Sequence, residues 1–191
     1  MFKLRMPYWA CVAGIAMSSC EQRADAVPIH FGYGRAATAN EIAGKAIAIP
    51  PSGIGLPPGN GTVQQGAVVY ASKCAACHGV TGVEGPFNIL VAPDTANAIP
   101  FDRAPKRVKS IGNYWPYATT VFDYVRRAMP YNAPGSLSDE EVYSVTAWLL
   151  YANKLIDTTT IINAKTLPAI VMPARKYYVT DNRKGGNGPY E

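Results

Sequence analysis

Apolar residues recur at helical spacing in three stretches of this chain, and each stretch carries its own start and stop signals. In the first, Ala67, Val68, Tyr70 and Ala71 give an apolar face to a helix that opens after Thr62 and ends near Cys74. Thr62 and Gln65 make a capping box, in which each side chain satisfies a backbone N–H left unpaired in the first turn. In the second, Pro116 to Ala128, the residues Val121, Val125 and Ala128 share one face. A proline suits the first turn of a helix, and Arg126 and Arg127 in the last turn favour its dipole. The residue before a proline is pushed away from helical dihedrals. Met129, before Pro130, therefore ends this helix and stands on the extended loop "MPYNAPGSL". The third helix opens on a second capping box, Ser138 to Glu141. Val142, Val145, Thr146 and Leu149 form its stripe, Tyr143, Ala147 and Leu150 broaden it, and Asn153 is its stop.

The rest lacks a sustained period. Pro28 to Gly61 is rich in Pro-Pro, Gly-Asn and Asn-Gly turn chemistry, with a short helix around Asn40 to Ala46. It reads as an extended arm lying on something. Val80 to Lys109 is loop, and the chain beyond Ile156 is again irregular, with Pro168, Pro173 and the polar end "DNRKGGNGPYE". The expected architecture is all-α: a helical domain over 62–156, an arm over 27–61 and a tail over 157–191.

Residues 1–26 read as an export signal. Lys3 and Arg5 precede a short apolar stretch, Tyr8 to Met17, far below the roughly 20 residues that span a bilayer. "AMSSC" ends in Cys20 as a lipoprotein box does, while "ADA" (Ala24 to Ala26) fits ordinary cleavage. The mature chain is expected in the periplasm, soluble or held by lipid on Cys20.

Composition changes this picture little. The apolar fraction is 48%, ordinary for a globular chain, and 17 glycines with 16 prolines fit the irregular stretches. Formal net charge is +5, and falls by two to about +3 when cleavage before Cys20 removes Lys3 and Arg5. With no long basic run and no helix-turn-helix or zinc-finger pattern, nucleic-acid binding is not expected.

The chemistry concentrates in "SKCAACHGV". The chain has 4 cysteines and 2 histidines, and Cys74, Cys77 and His78 fall in one C-x-x-C-H run. That run at a helix end is the attachment signal for one covalent haem c. Two thiols three residues apart reach the two vinyl groups, and the next residue's imidazole falls under the iron. Ala75 and Ala76 are small enough to let the macrocycle lie close. A redox dithiol has no use for His78, and a zinc site needs four ligands where the spare histidine is the isolated His30. For the sixth iron ligand a methionine is the better candidate. Met129, on its loop between two helices, leads; Met172, in "VMPAR", is the rival. The carbonyl of Pro86 is nominated to orient His78 through the other ring nitrogen. Tyr114, Trp115 and Tyr117 in "NYWPY" offer polar tips to haem propionates, or serve as core and interface aromatics.

A helix, "CAACHG", "GPFNIL", a methionine loop and a capped last helix together resemble class I cytochromes c. The resemblance implies a core of three to four helices around the haem. In it Gly66 and Tyr70 pack on the last helix near Tyr143 and Ala147. The run from Ile111 to Ile156, the arm from Phe31 to Thr62 and "TLPAIVMPAR" resemble more narrowly the cytochrome subunits of periplasmic sulfite and sulfane dehydrogenases of sulfur-oxidising bacteria. That implies a molybdenum-containing partner as electron donor, a soluble cytochrome c as acceptor, and no catalysis by this chain itself. The sulfane version often carries a second haem domain; a single C-x-x-C-H places this chain nearer the single-haem sulfite type.

Three roles follow. As a subunit of a dehydrogenase complex, the chain uses its arm and tail as wrapping segments. As a free or lipid-anchored carrier, it uses Arg103, Lys106, Arg107 and Lys109 to steer an acidic partner, unless these are only a solvated loop. As a peroxidase or gas binder it needs an open iron position, which a bound Met129 denies.

Overall fold

The computed structural model describes residues 33–92 and 108–179. The leader with Cys20, the isolated His30, and Arg103, Lys106 and Arg107 lie outside them. The chain divides into two units, Met1–Ala39 and Asn40–Glu191. Of the first, residues 33–39 are described and are exposed.

The described helices are α1 (Ala39–Lys45), α2 (Val63–Lys73), α3 (Ala75–His78), α4 (Ile111–Tyr114), α5 (Ala118–Ala128) and α6 (Asp139–Ala152). Single 3-10 turns follow at Leu167–Ala169 and Pro173–Tyr177. Both capping boxes form. Thr62 is extended (φ −108°, ψ 162°), its hydroxyl accepts from the Gln65 N–H, and Gln65 Oε1 accepts from the Thr62 N–H at 3.0 Å. Ser138 and Glu141 repeat the exchange at 3.2 and 2.8 Å. Helix α5 starts two residues later than its sequence suggests. Trp115, ahead of Pro116, is extended as a pre-proline residue must be, and Tyr117 is extended as well.

The core sits where α2, α5 and α6 meet. Every residue of the stripe on α6 is buried, from Val142 to Leu150. On α2 the buried face is Val63, Gly66 and Tyr70, whereas Val68 is 71% exposed. The apolar face read from the sequence was thus turned too far around the helix, because Gly66 has no side chain to register as apolar. Gly66 is the point where α2 touches α6: a Cβ there would overlap the Ser144 backbone and lie 2.8 Å from Trp148 Cβ. The crossing falls on Ser144 and Trp148, each one residue beyond the expected Tyr143 and Ala147. Tyr70 stacks on Trp148, ring centroids 3.7 Å apart.

This contact sets up a test in which two effects oppose. Gly66→Ala gains about 1 kcal/mol of helix propensity. It also forces atoms into a packed junction, at about 1–3 kcal/mol or more. Since the obstacle is backbone, which cannot rotate away, overlap wins. Gly66→Ala is expected to lower unfolding free energy by about 2 kcal/mol, measured by denaturant titration.

Two short segments read as loop instead pair. Strand β1 (Asn60–Thr62) runs antiparallel to β2 (Ile161–Asn163), with Gly61 opposite Ile162. Ile162 points inward and is fully buried while Ile161 is half exposed. The arm also has a definite seat. Ile49 is buried, and its N–H donates to Asp123 Oδ1 at 2.8 Å. The Thr119 hydroxyl donates to the Pro51 carbonyl at 3.2 Å, and the Tyr143 hydroxyl to the Pro57 carbonyl at 2.8 Å. Gly53 (φ +79°) lies against the Pro168 ring, so arm and tail meet over α5. From Ile49 to Thr62 the arm lies on the chain's own core.

Candidate functional site

Helix α2 ends at Cys74, whose N–H donates to the Tyr70 carbonyl at 2.9 Å. Cys74 then begins α3: its carbonyl accepts from Cys77 and His78 N–H at 3.1 and 3.0 Å. That turn brings Cys74, Cys77 and His78 together. Both cysteines are free thiols, Cys74 half-buried and Cys77 exposed. Burial, then the neighbouring Cys77, push the Cys74 thiol up to about 11, so it is protonated at neutral pH.

Gly79 (φ +84°, a region glycine adopts freely) turns the chain out of α3 into a folded loop. The Tyr70 hydroxyl donates to its carbonyl at 2.8 Å. The loop closes on itself at Gly82, whose carbonyl accepts from Leu90 N–H at 2.7 Å and Val91 N–H at 3.2 Å. Closure brings the Asn88 carbonyl to 2.9 Å from His78 Nδ1. A carbonyl only accepts, so Nδ1 carries the hydrogen and the Nε2 lone pair is left to bind a metal. The nomination of Pro86 is corrected here: Pro86 is exposed, and the orienting carbonyl belongs to Asn88, two residues on.

Glu84 holds the tip of this loop. Its carboxylate accepts from Thr81 N–H (3.0 Å), Thr81 hydroxyl (2.6 Å) and Val83 N–H (3.1 Å). The Thr81 hydroxyl bond, then backbone bonds, lower its pKa from 4.5 to about 2. A carboxylate depressed on folding contributes stability above its unfolded pKa and loses it as pH falls through the folded one. The window runs from about pH 4.5 down to 2. Glu84→Gln is expected to flatten the fall in stability across that window, by thermal melts at stepped pH, and the difference should shrink with added salt because the group is exposed.

Met129 caps the C-terminus of α5 in extended conformation (φ −124°, ψ 147°), half-buried against the core. The Met129–Pro130 bond is cis. Met172, the rival, is 1% exposed within the hydrophobic core. Tyr114 and Trp115 lie at the end of α4. Tyr114 meets Tyr178 edge-on at 6.1 Å with Lys109 Nζ 4.5 Å over its ring. Trp115 meets Tyr124 edge-on at 5.7 Å, and Arg175 lies 5.0 Å over the Tyr117 ring. The tail thus docks on these aromatics through its second 3-10 turn; the Tyr178 hydroxyl donates to the Tyr114 carbonyl at 2.9 Å.

Sequence reasoning missed Asn88, the Tyr70–Trp148 stack and the full use of Asn153, which it took only as a helix stop. Asn153 is fully buried and binds the backbone of Leu90, Ala92, Gly112 and Leu149. The signal available was a polar residue closing an apolar helix.

Two adjacent free thiols and a histidine with one nitrogen tied off, at the end of a helix crossed by the last helix, fit haem c and define a c-type cytochrome domain. A family profile described as "Cytochrome C oxidase, cbb3-type, subunit III" matches residues 61–149. A chain of the sulfane dehydrogenase SoxCD from Paracoccus pantotrophus is 36% identical, with a TM-score of 0.68, covering 81% of this chain and 74% of that one. No curated protein matches. The chain belongs to the class I cytochromes c, and it is similar to a chain of a sulfane dehydrogenase. Haem c binding and electron transfer follow from that class.

Proposed function

We propose that this chain is a single-haem cytochrome subunit that takes electrons from a molybdenum-containing sulfite or sulfane dehydrogenase and passes them to a soluble cytochrome c. Cys74 and Cys77 would hold the haem, each adding its S–H across one vinyl group. His78 Nε2 and Met129 sulfur would be the axial ligands. Bound there, haem supplies reversible one-electron chemistry at iron. The chain's residues do the rest: they would fix the ligands, and Met129 would close the sixth position. Tyr114 and Trp115 remain the candidates for the propionates. The setting is periplasmic; among the described residues no helix is long and apolar enough to cross a membrane.

The observation that carries the site is the His78 ring held at Nδ1 by the Asn88 carbonyl at 2.9 Å, beside two free thiols. The partner rests on the likeness to a SoxCD chain. A second reading, a free or lipid-anchored carrier, is favoured by the arm and tail. They were expected to wrap a partner, yet residues 49–62 and 161–175 pack on this chain's own core. Purification from the host followed by a molybdenum assay separates the two: stoichiometric molybdenum supports the subunit, and a molybdenum-free, partnerless haem protein supports the carrier.

A further inference from the structure

Asn153 stands where α6 ends, at 0% exposure. Its Oδ1 accepts from Ala92 N–H and Gly112 N–H, both at 3.1 Å. Its Nδ2 donates to the carbonyls of Leu90 at 3.1 Å and Leu149 at 2.8 Å. An asparagine amide has two donor hydrogens and two acceptor lone pairs, so all are used. The Leu90 carbonyl also accepts from Ile111 N–H at 3.2 Å, and the Leu90 N–H closes the loop on Gly82 at 2.7 Å. One buried side chain therefore ties the haem-site loop to the start of α4 and the end of α6. No other side chain can replace it. Aspartate lacks the donors, leucine lacks all four bonds, and glutamine carries its amide one carbon too far.

Two residues before Leu90 is Asn88, whose carbonyl holds His78 Nδ1 at 2.9 Å. The strength of that bond sets how basic the opposite nitrogen is, and hence how well it donates to a metal. We propose that Asn153 is a positioning residue for the iron. By pinning Leu90 and Ala92 it fixes the Asn88 carbonyl against His78 and thereby keeps the reduction potential low. This rests on the reading of His78 as axial ligand. Freed from Asn153, the carbonyl drifts, the Nδ1–H bond weakens, His78 becomes a poorer donor and the oxidised iron loses support.

The test uses the mature holoprotein and three variants: Asn153→Ala, Asn153→Asp and, as a control, Leu155→Ala. Leu155 is partly buried against the core just past Asn153 and makes none of the four bonds, so its loss lowers stability alone. Two quantities are read: the reduction potential, and solvent exchange of the His78 ring N–H by NMR of the reduced protein. Both Asn153 variants should raise the potential and speed ring N–H exchange about tenfold or more, while Leu155→Ala at a similar loss of thermal stability changes neither. Equal effects in all three overturn the proposal. Should the Asn153 variants fail to mature, the wild type decides. Ring N–H exchange and exchange at the Ala92 and Gly112 amides should proceed through one opening, with protection agreeing within about tenfold; any larger difference overturns the proposal. The failures are distinguishable. A wild-type iron centre without a histidine ligand overturns the reading of the site, and an intact wild type with insensitive variants overturns only the role of Asn153.

Discussion

Replacing both Cys74 and Cys77 by alanine is expected to abolish covalent haem completely. Wild-type protein, exported in a host able to attach the cofactor, should show an intact mass equal to the processed chain plus one haem. The Cys74→Ala, Cys77→Ala double variant should show the bare chain. Acidified acetone separates the cases further, since thioethers survive the solvent and axial ligation does not. The single variants should differ from each other. Cys77 is exposed and Cys74 half-buried against the core, so Cys77→Ala leaves its one remaining link at the sheltered sulfur. The double variant should also lose tertiary stability, because a cofactor that binds only the folded state stabilises it by mass action. Wild-type protein of bare mass would remove the foundation of the site.

What could be read from residues alone follows the range of the forces involved. The C-x-x-C-H run is local, and a single turn is enough to bring its three side chains together. Both capping boxes are local too, and Thr62 and Ser138 cap as their neighbours dictate. The stripe on α6 was legible because burial on one side imposes a helical period. The failures are non-local. The β1–β2 ribbon pairs residues far apart in the chain, over three positions each, too short to show an alternation. Gly66 carries no apolar side chain, so a hydrophobic pattern passes over the one place where two helix backbones nearly touch. The carbonyl that orients His78 depends on how the loop closes on the Gly82 carbonyl, and nothing in "GPFNIL" distinguishes Pro86 from Asn88 in advance. Asn153 shows the same limit most clearly: three of its four partners lie outside its own helix.

The two methionines make opposite predictions, and this gives the sixth ligand its sharpest test. Met172 is 1% exposed and packed among core side chains, while Met129 is half-buried at the end of α5 with a short, largely exposed loop beyond it. Truncating a buried methionine removes its transfer energy and leaves a cavity, which costs about 2–5 kcal/mol. Met172→Ala should therefore lower the unfolding free energy by an amount in that range and leave the iron spectrum as it was. Met129→Ala should do the reverse: stability falls less, and the weak near-infrared sulfur-to-iron band of the oxidised protein disappears. The reduced variant should then bind carbon monoxide rapidly, where the wild type binds it slowly or not at all. Met129→His keeps six-coordination but exchanges a thioether that favours ferrous iron for an imidazole, so its reduction potential should fall. A band that survives Met129→Ala and vanishes in Met172→Ala would transfer the ligand to the tail. It would also require the core around Met172 to open, because a side chain sealed on every side by the core has no face left for iron.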